Sequence, residues 1–140
     1  MNYKINFDEP IADMITRLER EHHDFRTGLD RAISLLENNR NDSIEILKDL
    51  SPKIIQHAVE EEARLMRVIM EKAKAESEQS IHVMQEHNHV IDFIKHTLPQ
   101  LHDLPADRIK EQVNQFVIAL KEHFLEEEKI VFPLALKLVT

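Results

Sequence analysis

Along four long stretches of this chain, apolar side chains return every three or four residues, the spacing of one face of an α-helix. Asp8 and Pro10 mark the first start, with Pro10 placed in the first helical turn. Ile11, Ile15, Leu18, Phe25, Leu29, Ile33 and Leu36 follow as a stripe, and the polar run Asn38-Asn39-Arg40-Asn41 predicts the end. Asp42 or Ser43 is the expected cap of a second helix striped by Leu47, Leu50, Ile54, Leu65 and Val68. Ser51-Pro52 predicts either a restart or a kink there, and the helix is expected to fade in the polar stretch Lys72 to Gln79. A third helix is expected from Ser77 or Ser80, carrying Met84, Ile91, Ile94, Leu98 and Leu101. Pro99 and Pro105 bracket the last connection, and Pro105 suits the first turn of the fourth helix. That helix is striped by Ile109, Val113, Phe116, Leu120, Ile130 and Leu134, with a bend expected at Pro133.

Gly28 is the single glycine, which leaves little material for the tight turns of a β fold. Four amphipathic helices with short links pack most simply as an all-α, up-down-up-down antiparallel four-helix bundle. The 140 residues are expected to form one domain, 1–140. The net charge of -8 argues against nucleic acid and anionic membrane as partners. With no Cys in the sequence, disulfides, thiolate ligands, iron–sulfur clusters and a Cys nucleophile are excluded. No apolar run approaches a membrane span and Met1 to Pro10 has no signal pattern, so a cytoplasmic location is expected.

Each apolar stripe has a gap, and a His or Glu fills it. Between Leu18 and Phe25 stands His22; between Ile54 and Leu65 stand His57 and Glu61. Between Met84 and Ile91 stands His87; between Leu120 and Ile130 stand His123 and Glu127. Burying such groups without partners costs several kcal/mol each, roughly, so six of them on four inward faces need a common partner. Two divalent cations are the simplest, with imidazoles as terminal ligands and carboxylates as bridges.

Spacing supports that reading. His57/Glu61 and His123/Glu127 are i, i+4 pairs, so each pair projects from one helix face. His22 and His57 are 35 positions apart, His87 and His123 are 36, so the chain reads as two related hairpins. Counted from the connections at about 1.5 Å per residue, His22 and His57 reach one level, and His87 and His123 match if the third helix frays late, so all six can share one layer. The rival register places His89 in the layer instead of His87. His23, His82, His96 and His102 are expected at the surface. Glu60 is expected to pair with Arg64, Glu62 and Glu128 are candidate acceptors for ligand imidazole N–H groups or else half-exposed acids, and Met66, Met70 and Met84 are expected to fill the core. Iron, manganese, zinc and cobalt all suit such donors.

At these residues the sequence resembles the hemerythrin-like, or HHE cation-binding, proteins. The matching pieces are Glu21-His22, His57-x-x-x-Glu61-Glu62, Glu86-His87, and His123-x-x-x-Glu127-Glu128 followed by Phe132-Pro133, and together they cover about Ile11 to Leu138. The resemblance implies a non-haem di-iron cofactor, two Fe ions with an oxo or hydroxo bridge, that binds O2, NO or peroxide. It assigns His22 and His57 to one iron, His87 and His123 to the other, and Glu61 and Glu127 as bridges. Oxygen-carrying hemerythrins have a further His one turn after the third-helix His, where this chain has Ile91, and use an Asp five residues on where it has Glu127. The ligand set is closer to the di-iron repair proteins of nitrosative stress, which usually carry a Cys-containing N-terminal segment that this sequence lacks. With about five ligands per iron, open positions for redox chemistry are expected; an iron or gas sensor, or an iron-handling module without catalysis, is the alternative.

Overall fold

The computed structural model describes residues 3–73 and 77–140. Residues 74–76, within the polar stretch where the sequence predicts fading of the second helix, lie outside the described residues. Four long helices make up the fold. Helix α1 is Ile11–Leu35. Helix α2, residues 40–72, runs as α-helix Arg40–Glu60, a π-helical turn Glu61–Met66 and α-helix Arg67–Lys72. Helix α3, residues 77–103, begins as α-helix Ser77–Asp92, widens to π-helix over Phe93–Thr97 and tightens to 3-10 helix over Leu98–Asp103. Helix α4, residues 106–139, has the same plan as α2: α-helix Ala106–Glu126, a π-helical turn Glu127–Val131 and α-helix Phe132–Val139.

The helix boundaries follow local chemistry. Pro10 and Pro105 are both extended, at ψ 142° and 152°, and stand at the N-caps, just outside the first turn in which the sequence places them. The cap of α2 is Asn39, not Asp42 or Ser43. Its side-chain oxygen accepts from the Asp42 N–H at 3.2 Å while its amide donates to the Asp42 carboxylate at 2.7 Å, so the polar run opens α2 as well as closing α1. Ser43 is buried instead, donating its hydroxyl to the Ala32 carbonyl of α1 at 2.6 Å. At Pro52, α2 continues without a restart, and the neighbouring Ser51 hydroxyl bonds back to the Leu47 carbonyl at 2.7 Å.

Two apolar clusters fill the interior. One includes Phe25, Leu29, Leu47, Ile54, Ile94, Val113 and Leu120; the other includes Met14, Leu18, Leu65, Ile69, Val83 and Phe132. Helix α1 runs from the second cluster to the first, α2 from the first to the second, and α3 and α4 repeat the alternation. The bundle is therefore up-down-up-down. At the α1–α2 contact, a Cβ on Gly28 would lie 2.8 Å from a Leu50 methyl, so glycine is what lets Leu50 seat against α1.

The stripes past the polar residues differ from the simple 3.6-residue reading. Ile130 is 48% exposed, and Val131, Phe132 and Ala135 face inward in its place. On α2, Met66 and Ile69 are buried and Val68 is displaced to the flank. In both helices a π-helical turn has inserted one residue, which rotates everything after it. On α3, Val83 and Val90 hold the centre of the buried face, flanked by Met84 and Ile91. Of the three methionines expected in the core, Met66 is buried, Met84 half-buried and Met70 exposed.

Candidate metal centre

The six His and Glu residues form one layer between the two apolar clusters. His22, His57, Glu61, His87, His123 and Glu127 are all buried, the two carboxylates completely. His89 points away and is exposed, as are His23, His82, His96 and His102. Glu61 and Glu127 are the first residues of the π-helical turns of α2 and α4.

The donors divide into two overlapping sets of four. His22, His57, Glu61 and Glu127 place one donor atom each within 4.8 Å of one another, and so do Glu61, His87, His123 and Glu127. Both carboxylates belong to both sets. Glu61 turns one oxygen to His57 Nε2 at 3.3 Å and the other to His87 Nε2 at 3.1 Å. Glu127 lies with one oxygen 3.1 Å from His22 Nε2 and 3.4 Å from His123 Nε2, and the other 3.7 Å from His87 Nε2.

None of these inward atoms is satisfied. The Nε2 atoms of all four His residues and all four oxygens of Glu61 and Glu127 are buried without a hydrogen bond of acceptable geometry. Buried polar groups in native proteins are otherwise nearly always paired. Imidazole nitrogens and carboxylate oxygens converging on two points are donors suited to first-row divalent cations, so the residues present fit a pair of such ions.

The outward nitrogens are held by a ring of acids. His22 Nδ1 donates to Glu128 and His57 Nδ1 to Glu21, each at 2.8 Å, and His123 Nδ1 donates to Glu86 at 2.9 Å. His87 Nδ1 faces Glu62 at 3.9 Å, beyond hydrogen-bonding distance. The pairing follows the internal repeat: the acid preceding the His of α1 serves the His of α2, the acid preceding the His of α3 serves the His of α4, and the acids that follow Glu61 and Glu127 face His87 and His22. Glu128 thus has the role the sequence suggests for it and Glu62 only approaches it. Glu21 and Glu86 carry no such signal in the apolar pattern, although each directly precedes a ligand-type His. Glu60 pairs with Arg17 of α1 at 2.9 Å, not with Arg64, whose guanidinium donates to the Asn6 and Glu9 carbonyls.

Electrostatics reflect the crowding. Burial pushes His57, His87 and His123 down, but the facing carboxylates outweigh it and raise them to about 10, 12 and 9. Burial likewise raises Glu127, and its neighbours Glu61, His123, His22 and His87 hold it well below the usual carboxylate range. For Glu21 and Glu128 burial is outweighed by His57 and Arg17, and by Arg26 and His22, so both titrate low. His57, His87 and His123 thus hold a proton more tightly than a free imidazole does.

Besides the buried layer, His82, Glu86 and Glu126 form a smaller grouping at the surface. No helix among the described residues is long and apolar enough to cross a membrane. The family model of the hemerythrin HHE cation binding domain matches residues 13–135 of the chain. No curated protein and no solved structure matches it.

Proposed function

Since the chain belongs to the hemerythrin HHE cation-binding family, we propose that it is a non-haem di-iron protein that binds O2, NO or peroxide in the bundle core. In this reading His22 and His57 hold one iron, His87 and His123 the other, and Glu61 and Glu127 bridge them. The observation that carries it is the sharing of both buried carboxylates between two four-donor sets. Four imidazoles and two carboxylates leave each iron short of six protein ligands, so the bound pair would supply open positions and one-electron chemistry.

The chain's own residues do the rest. Glu128, Glu21 and Glu86 hold His22, His57 and His123 through Nδ1 and leave Nε2 turned inward. The two apolar clusters close the layer from above and below, which keeps bulk water away and restricts entry to small molecules. Ile91, half-buried one turn after His87, adds packing and no donor.

The test is to load the protein anaerobically with iron(II), count ions per chain, and mix it with O2, NO or peroxide while following absorption. Two ions per chain and catalytic consumption of one of these molecules support redox turnover. Stoichiometric binding coupled to a change in assembly or partner affinity supports the sensor reading. A stable, fully reversible O2 adduct counts against reactive chemistry.

A further inference from the structure

Behind the inner ligands, the two halves of the centre are built differently. On the His22/His57 side the outer acids are themselves clamped. Arg26 donates two hydrogen bonds to Glu128, at 2.8 and 2.9 Å, and Arg17 donates to Glu21 at 2.8 Å. The rings are wedged as well: His22 stacks on Phe124 at 4.2 Å between centroids, and Phe25 sets its edge against His57 at 5.4 Å. Arg26 also lies over Phe124, 5.7 Å from the ring centre.

On the His87/His123 side no arginine meets the outer acids among the described residues. Glu86 holds His123, but its other ionic neighbour is the exposed His82 at 3.5 Å. Glu62 makes no hydrogen bond among the described residues and stops 3.9 Å short of His87, leaving a buried imidazole with neither nitrogen satisfied. Glu62 also lines an open surface cleft of about 480 Å³ with Phe7, Met66, Met70 and Met84.

Resting on the two-iron reading, we propose that the two metal positions are inequivalent. The His87/His123 position exchanges its ion first, on the side of the Glu62 cleft. The His22/His57 position is retained by Arg26 and Arg17, acting as positioning residues through Glu128 and Glu21. The reason is mechanical and electrostatic. An imidazole gripped by an ionised acid, itself fixed by a forked guanidinium, is a stronger donor that cannot swing off its ion. His87 has no such grip and can leave first.

The experiment is chelator-driven release of iron(II) from the anaerobically loaded full chain. The expected result is two phases of one ion each. R26Q should speed the slow phase roughly 10–100-fold and leave the fast phase unchanged. R26K, which keeps the charge but loses the fork, should restore part of the delay. E86Q should speed only the fast phase. Release of both ions in one phase, or R26Q acting on the fast phase, overturns the inference. Should R26Q fail to fold by circular dichroism, E128Q reads the same slow phase. Fewer than two ions bound per chain overturns the two-iron reading itself, a result distinct from two ions leaving together.

Discussion

Glu61 of α2 and Glu127 of α4 each occupy the first position of a π-helical turn, and each belongs to both donor sets of the buried layer. The two turns are related by the internal repeat of the chain. A π turn gains one residue, so the side chains that follow are rotated relative to those before it. In this bundle the rotation lets an acid enter the core beside its His while the helix still closes with an apolar face beyond it.

Because the two carboxylates are shared, removing either should disturb both metal positions. Glu61→Ala and Glu127→Ala are each expected to bind fewer than two ions per chain by elemental analysis, with a lower melting temperature after loading. His22→Ala should affect chiefly one ion. Two ions retained in both Glu variants would contradict the bridging assignment.

The metal-free protein should depend on pH in a defined direction. His57, His87 and His123 titrate at 6.5 when unfolded and at about 10, 12 and 9 when folded. Their stabilising contribution is therefore whole below pH 6.5 and lost as pH rises through those folded values. Glu127, held well below 4.5, contributes above 4.5 and loses its contribution as pH falls through its depressed value. The melting temperature of the metal-free protein is expected to be highest near pH 5 to 6.5, roughly, and to fall on both sides. Metal binding must displace these protons, so affinity should rise with pH and loading in weak buffer should acidify the solution. A melting temperature that climbs from pH 6.5 to 9 would count against the protonated layer.

The register shift in α4 can be read from two neighbouring side chains. Phe132 is 2% exposed and packs against the centre, whereas Ile130 is 48% exposed. Phe132→Ala should cost about 3–5 kcal/mol in urea unfolding of the metal-free protein. Ile130→Lys should stay within about 0.5 kcal/mol. An uninterrupted α-helix would place Ile130 inside and reverse the ranking.

Arg17 joins Glu9, Glu21 and Glu60, all within 2.8 to 2.9 Å of its guanidinium nitrogens, and they raise its affinity for its proton. Arg17→Ala leaves three acids facing one another and is expected to destabilise by about 1–3 kcal/mol. Added salt should shrink that deficit, since these half-exposed charges are screened. A deficit independent of salt would point to lost packing rather than repulsion.

Much of this is legible in the sequence alone. Repeated steps of three and four residues with one glycine leave the chain little but long amphipathic helices, and short connections make them antiparallel. His22, His57, Glu61, His87, His123 and Glu127 betray themselves by standing where apolar residues belong, because the helical face that carries the neighbouring apolar residues carries them too; only the choice of His87 over His89 waited for the structure. Rules that act within one helix sufficed for that.

Tertiary structure decided what crosses between helices. Glu21 serves His57 and Glu86 serves His123 only because adjacent helices bring them level. The arginine clamps on one half of the centre, the unmatched His87 on the other and the capture of Glu60 by Arg17 have the same origin. The π turns at Glu61 and Glu127 also belong here. A local 3.6-residue period predicts Ile130 and Val68 inside, but the layer needs its two acids beside their His partners and a full apolar face beyond, and one inserted residue in each helix meets both demands.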